Sequence, residues 1–233
     1  MKQAEIVIIG GGPAGLCAAV SAAKSGSKVL IIDKNKKLGG QLIKQTHMFF
    51  GSEKQYASKR GIDIPEILID ELYKYKENVE ISTEATVVGM YEDGIITVLE
   101  KEDNYYKIEP KAVVVATGAY EKFLGFPNND LPGIYGAGAV QTLMNVYGIK
   151  PGNRVLMVGA GNIGLIVSYQ LMQAGVEVKA ILDAAPKIGG YLVHASKIRR
   201  MGVPILTSHT VKEAIGNEFL EKAVICKVDE KFN

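Results

Sequence analysis

The chain has 233 residues, 47% of them apolar and 22% charged, and its 27 basic and 25 acidic side chains leave a formal charge of +2. That is enough apolar material for one or two compact domains, and scattered charges of both signs give neither the basic stripe of a nucleic-acid binder nor an acidic tail. The longest wholly apolar runs, such as 112–116, fall far short of the roughly 20 residues of a membrane span, and residues 1–12 lack the long apolar stretch of a signal peptide. No nucleic-acid partner and no membrane insertion are expected, and the expected location is cytoplasmic. The two cysteines, Cys17 and Cys226, form no CxxC, and His47, His194 and His209 do not cluster at ligand spacing, so no disulfide framework and no metal site are indicated.

The first segment, AEIVIIGGGPAGLCAAVSAAKSGSKVLIID, reads as strand, turn, helix, strand, with Gly26 as the helix stop. Gly10, Gly12 and Gly15 form GxGxxG, which provides a tight turn, close approach of backbone to a pyrophosphate, and close packing of helix on strand. At the end of the second strand lies Asp33, where a carboxylate can accept from a ribose hydroxyl. Residues 63–78, DIPEILIDELYKYKEN, predict a helix with Asp63 as N-cap, Pro65 in its first turn and Ile64, Ile67, Leu68 and Leu72 on its apolar face. The runs VEIS, TEATVVGMYED, GIITVLEKED and YYKIE predict a small antiparallel meander with Asp93-Gly94 as its tight turn. KAVVVATGAY then predicts a separate, fully apolar parallel strand, Val113–Ala116, that breaks into Thr117 and Gly118 at the ligand edge of a sheet. Pro127, Pro132, Gly133, Gly136 and Gly138 mark residues 119–136 as a linker and loop, followed by a helix from about Gly138 to Tyr147 that stops at Gly148.

The second segment, RVLMVGAGNIGLIVSYQLMQAGVEVKAILD, repeats the first with an offset of 149 or 150 residues: strand, GxGxxG at Gly159, Gly161 and Gly164, helix, Gly175 as stop, strand, and Asp183. The repeat continues past each acid, to Gly39-Gly40 and to Gly189-Gly190. The fold class expected is therefore α/β, two Rossmann-like dinucleotide-binding units with parallel sheets, the first carrying the meander. The expected division is 1–125, then linker and helix 126–152, then 153–233.

GGGPAGL with Asp33, LGGQ at 38–41 and VVVATGA at 113–119 resemble the FAD-binding half of the two-dinucleotide flavoprotein oxidoreductases, the class that includes thioredoxin reductase and glutathione reductase. QTHMFFGS at 45–52, LPGIYGAGAVQTLMN at 131–145 and APKIGGYLVHASKIRRMGVPILTSH at 185–209 resemble more narrowly the alpha subunits of heteromeric amine-oxidising flavoenzymes: sarcosine oxidase, opine oxidase, hydrogen cyanide synthase and dye-linked proline dehydrogenase. The resemblance implies that Gly10, Gly12, Pro13, Ala14 and Gly15 line the FAD pyrophosphate and that Asp33 and Lys34 flank its ribose. Gly39, Gly40 and Gln41 would run along the cofactor, Thr46 would lie near the flavin ring, and Ala116, Thr117 and Gly118 would close the site from beneath. Gly159, Gly161, Asn162, Ile163 and Gly164 would hold the pyrophosphate of a nicotinamide cofactor. Asp183 favours NAD(H) over NADP(H), because a carboxylate at the ribose repels a 2′-phosphate, although Lys187 close by softens the preference.

Two departures qualify the resemblance. The cysteine pair of the disulfide reductases is missing, which argues against dithiol exchange; Cys17 and Cys226 read as small buried hydrophobes. The return segment that closes the flavin site in this class is also missing, since the sequence stops at VICKVDEKFN. Either it is a piece of a longer chain, which is the expectation, or it is a shortened member whose flavin site is incomplete or completed by a partner. The function implied is FAD-dependent electron transfer between NAD(P)H and flavin, with no side-chain catalytic machinery, as the alpha-type component of a heteromeric amine or amino-acid dehydrogenase or oxidase. The alternatives are a nucleotide-binding or assembly subunit of such a complex, and a stand-alone thioredoxin reductase-like enzyme. The partners expected are other subunits of such a complex or further copies of the chain, and Tyr120 and Glu121 are candidate contact residues. His194 reads as part of a solvated helix face, His47 as a surface or packing residue, and His209 has no assigned partner.

Overall fold

The computed structural model describes residues 1–49, 51–229 and 231, in two compact units, Met1–Tyr120 and Glu121–Asn233. The first unit thus ends at Tyr120 rather than 125, and the stretch expected as a separate linker and helix belongs to the second.

The first unit is built on a six-stranded sheet of order β3-β2-β1-β6-β5-β4. Strand β1 (Lys2–Ile9) leads into α1 (Pro13–Lys24), whose alanine-rich sequence presents Leu16, Ala19 and Ala23 inward, and the chain returns as β2 (Val29–Asp33), buried at every position. Helix α2 (Ile64–Tyr73) buries Ile64, Leu68 and Leu72, while Ile67 is half-buried, and ends before the single turn at Lys76–Asn78. Asp63 stands at the expected N-cap position but makes no side-chain capping hydrogen bond. VEIS, expected in the meander, is instead β3 (Val79–Thr83), paired parallel to β2. It follows a helix, and a chain that has crossed over a sheet on a helix returns parallel.

Strands β4 (Ala85–Met90) and β5 (Ile96–Glu100) form the expected hairpin, with Gly94 at φ +82° and Asp93 Oδ1 accepting from the Ile95 N–H. The last strand departs from the sequence reading. YYKIE and KAVVV are one continuous β6 (Asn104–Val115), antiparallel to β5 over its first part and parallel to β1 over its second. Pro110 sits within it, tolerated because β5 reaches only as far as Ile108, so one edge of β6 is open where the missing N–H would matter. The apolar end of β6 is partly exposed, with Val115 64% exposed. Ile8, Ile31, Leu16 and Leu68 form one core between sheet and helices, and Val7, Leu30, Ile32, Ile96 and Val98 form another on the opposite face.

The second unit opens with an irregular stretch and α3 (Ala137–Asn145), then β7 (Arg154–Val158), α4 (Asn162–Gln173), β8 (Glu177–Asp183), α5 (Leu192–Arg200) and β9 (Ile205–Thr207). Strands β7, β8 and β9 make a parallel sheet, and β10 (His209–Gly216) with β11 (Leu220–Lys227) makes a separate antiparallel hairpin. Leu165, Val167, Leu171, Ile181 and Ile198 centre the core. Gln141 of α3 and Gln170 of α4, 3% and 5% exposed, join the helices by a side-chain hydrogen bond of 2.9 Å. Among the described residues no helix is long and apolar enough to cross a membrane.

Ile31 is fully buried, whereas Val88 is 53% exposed. Truncation of Ile31 to Ala is therefore expected to cost about 2–5 kcal/mol, and Val88→Ala no more than about 0.5 kcal/mol, read from urea unfolding midpoints at constant m value.

Candidate functional site

Each unit places its glycine turn where a strand feeds a helix at the carboxyl end of a parallel sheet. In α1 the first backbone hydrogen bond is Leu16 N–H to Gly12 C=O, 2.9 Å, so the N–H groups of Gly12, Ala14 and Gly15 have no carbonyl inside the helix, and Pro13 offers none. In α4 Leu165 bonds Gly161 C=O at 3.1 Å, which leaves Gly161, Asn162, Ile163 and Gly164. The second turn thus presents one more unspent donor than the first, because Asn162 stands where Pro13 does. Both turns group unbonded N–H donors at the positive end of a helix, an arrangement that can hold an anion.

The close approach of helix to strand explains the third glycine of each motif. A Cβ at Gly15 would lie 1.8 Å from the Gly10 carbonyl oxygen, and one at Gly164 would lie 1.9 Å from that of Gly159. The first glycines differ. Gly10, at φ +106°, lies under the end of β6, where a Cβ would meet the Ala116 carbonyl oxygen at 2.4 Å and Thr117 Cα at 3.2 Å; around Gly159 no described atom comes within 4 Å of such a Cβ. Ala116 continues the strand by donating its N–H to Ile9 C=O at 2.8 Å, which brings Ala116 and Thr117 against the turn. Gly40 also closes on it, with a Cβ there 2.8 Å from Gly12 Cα.

Asp33 and Asp183 have partners that the sequence reading did not assign. Asp33, 6% exposed, accepts from Gly11 N–H at 2.6 Å through Oδ2, and from Asn35 N–H and Nδ2 at 2.7 and 2.9 Å through Oδ1. Asp183 accepts from Ala160 N–H at 2.7 Å and from Ala185 N–H at 2.9 Å. The carbonyls of the same turn residues are also held, Gly11 by Gly39 N–H at 2.8 Å and Ala160 by Gly190 N–H at 2.9 Å. The D-x-N sequence that begins at the last residue of β2 carried a signal for this, since an aspartate often accepts from the N–H two residues on. Asn162 is also committed: its Oδ1 accepts from Tyr191 N–H at 2.7 Å, at the start of α5.

Lys34, Gln41, Thr117, Gly118 and Ile163 are exposed, and Thr46 is half-buried in the loop after Gly39-Gly40. His47 stacks on Phe49 with ring centroids 5.4 Å apart; its neighbour Phe50, within the QTHMFFGS stretch, lies outside the described residues. His209 has a partner after all, the Thr207 carbonyl, 2.7 Å from Nδ1. Glu121, read as a contact residue, accepts from Ala137 and Gly138 N–H at 2.8 and 3.0 Å and so caps α3, whose N-cap Gly136 has no side chain to do it. Cys17 is exposed on α1 and Cys226 half-buried, so neither is the buried hydrophobe expected. Among the described residues no group of His, Cys, Asp and Glu is arranged to hold a metal ion.

The family model described as pyridine nucleotide-disulphide oxidoreductase matches residues 4–233. The alpha subunit of sarcosine oxidase from Rhizobium meliloti (strain 1021) is 30% identical over 198 residues, 79% of this chain and 19% of the relative. An opine oxidase subunit from Agrobacterium tumefaciens (strain Ach5) is 30% identical over 202 residues, 82% of this chain and 39% of the relative. Among solved structures, L-proline dehydrogenase from P. horikoshii superposes with a TM-score of 0.68 at 25% identity, over 99% of this chain and 40% of that one. The chain thus spans well under half the length of these relatives.

Substitution at the third glycine checks its placement, and His194, which is half-buried on α5 and not on the solvated face expected, gives a second check. Gly164→Ala drives a methyl group into a carbonyl oxygen, so thermal unfolding followed by circular dichroism is expected to show a loss of more than about 2 kcal/mol, against little change for Lys187→Ala on the exposed loop. Burial, and after it the Lys197 ammonium, holds the His194 imidazole below its ordinary value of 6.5. The unfolded chain then binds the proton more readily, and stability falls as pH drops through about 6.5 and below. His194→Gln is expected to flatten the difference between urea midpoints measured at about pH 7.5 and 5.5.

Proposed function

The chain belongs to the pyridine nucleotide-disulphide oxidoreductase family, and on that footing we propose that it binds FAD at the first glycine turn and NAD(H) at the second, in an oxidoreductase that passes electrons between them. The observation that carries the reading is the matched pair of turns, each with unspent helix N–H groups, a glycine pressed on the strand, and an acid at the end of the next strand. A turn whose helix is pressed on the strand at Gly15 or Gly164, with backbone N–H groups open at the helix N-terminus, fits a pyrophosphate.

In the first unit Gly12, Ala14 and Gly15 supply backbone donors to the FAD pyrophosphate, with Pro13 setting the helix start. Asp33 and Lys34 flank the ribose, Gly40, Gln41 and Thr46 extend toward the flavin, and Ala116, Thr117 and Gly118 form the floor beside Gly10. In the second unit Gly159, Gly161, Asn162, Ile163 and Gly164 hold the pyrophosphate of NAD(H), and Asp183 disfavours the extra phosphate of NADP(H). When bound, the flavin and nicotinamide supply hydride chemistry that no amino-acid side chain offers. The protein residues bind, orient and exclude water. The names of the sarcosine and opine oxidase relatives, each one subunit of a larger enzyme, support the same role here, beside partners that oxidise an amine or amino acid. The lack of a CxxC pair stands against disulfide reduction.

Anaerobic addition of NADH to the purified full-length protein with its bound flavin tests the proposal. Loss of the oxidised flavin absorbance is expected, with NADPH clearly less effective. An unbleached flavin sinks the electron-transfer reading, and release of ADP or ATP without flavin on denaturation supports a nucleotide-binding subunit in its place.

A further inference from the structure

We propose that Asp33 and Asp183 are positioning residues of the two turns, each acting on a bound dinucleotide through the backbone it holds and not only by accepting from a ribose hydroxyl. The proposal rests on the dinucleotide reading above. Three observations carry it.

The first is the number of donors each carboxylate already serves. Asp33 accepts three N–H groups within 2.6–2.9 Å, against a capacity of about four. It is almost wholly buried, so its charge is balanced by those donors and not by water. The second is recurrence. The bonds from Gly11 and Asn35 N–H to Asp33 reappear as bonds from Ala160 and Ala185 N–H to Asp183. The partners differ in identity, glycine against alanine and asparagine against alanine, so the arrangement is a property of the turn and not of particular side chains. The third is closure. Gly11 and Ala160 also have their carbonyls bonded, by Gly39 and Gly190 N–H, so the peptides on both sides of each residue are tied down.

The consequence is a division of labour within the turn. The N–H of residue 11 or 160 is spent on the acid, which fixes the plane of the peptide before that residue, while the carbonyl bond from Gly39 or Gly190 fixes the peptide after it; together they direct the following free N–H groups at the phosphates. Replacing either aspartate by asparagine sets an amide N–H against a backbone N–H, and the turn loses its orientation even for a ligand that has no ribose hydroxyls.

Site-resolved titration of the ¹⁵N-labelled full chain tests this, with the Gly161 amide reporting the second turn and two probes, ADP and its 2′,3′-dideoxy analogue. Asp183→Asn is expected to weaken both probes by about tenfold or more, and to shift the Ala160 amide proton and speed its exchange. Loss of ADP binding with the dideoxy analogue unaffected would overturn the proposal and leave a ribose acceptor alone. A wild-type Ala160 amide that exchanges as fast as an unprotected loop amide would overturn it too, and that measurement needs no folded variant. If the Gly161 amide responds to neither probe, the dinucleotide reading falls and this proposal with it; the other failures leave that reading standing.

Discussion

Backbone N–H groups at the start of a helix have no carbonyl to bond, and both units are arranged around that deficit. One N–H of each turn is taken by an aspartate from the neighbouring strand, at 2.6 Å in the first unit and 2.7 Å in the second. The rest stay grouped at the helix end, where the dipole favours an anion. The same deficit at α3, whose N-cap is a bare glycine, is met differently, by the Glu121 carboxylate. That helix end is therefore already filled by the chain itself.

Packing converts this local chemistry into a fixed shape. Gly15 and Gly164 let each helix settle onto the carbonyl of the residue that opens its turn, closer than any side chain allows. Asp33 and Asp183 then bridge from the end of one strand to the turn after another, and Gly39 and Gly190 tie the same turn to the loop that follows the acid. Strand, turn, helix and second loop become one framework, which holds the donors in place. The two units differ in what lies against this framework. Gly10 has the end of β6 upon it, whereas no described atom approaches the equivalent side of Gly159.

Much of this was legible in the sequence, for a physical reason. The doubled GxGxxG, the acids at a matched distance and the offset of 149 or 150 residues encode backbone demands that are met locally, over one strand-turn-helix-strand unit. The helices at 64–73 and 192–200 and the Asp93-Gly94 hairpin were visible on the same grounds. The errors fell where a pairing partner is distant. VEIS has strand composition, but only its place beside β2 makes it parallel. YYKIE and KAVVV look like two strands because proline separates them, yet they run as one because β5 stops before Pro110. Glu121 could not be assigned from its neighbours, since the N–H groups it caps lie at Ala137 and Gly138.

By itself the sequence determined that this protein carries two strand-turn-helix cradles of one kind, because glycine placement and periodicity act over a few residues and need no distant partner. The tertiary structure alone decided where the carboxylates point. An aspartate at a strand end reads equally well as a ligand acceptor or as a brace for the turn. Only the approach of Gly11 to Asp33, and of Ala160 to Asp183, set by two strands lying side by side, makes each acid a brace.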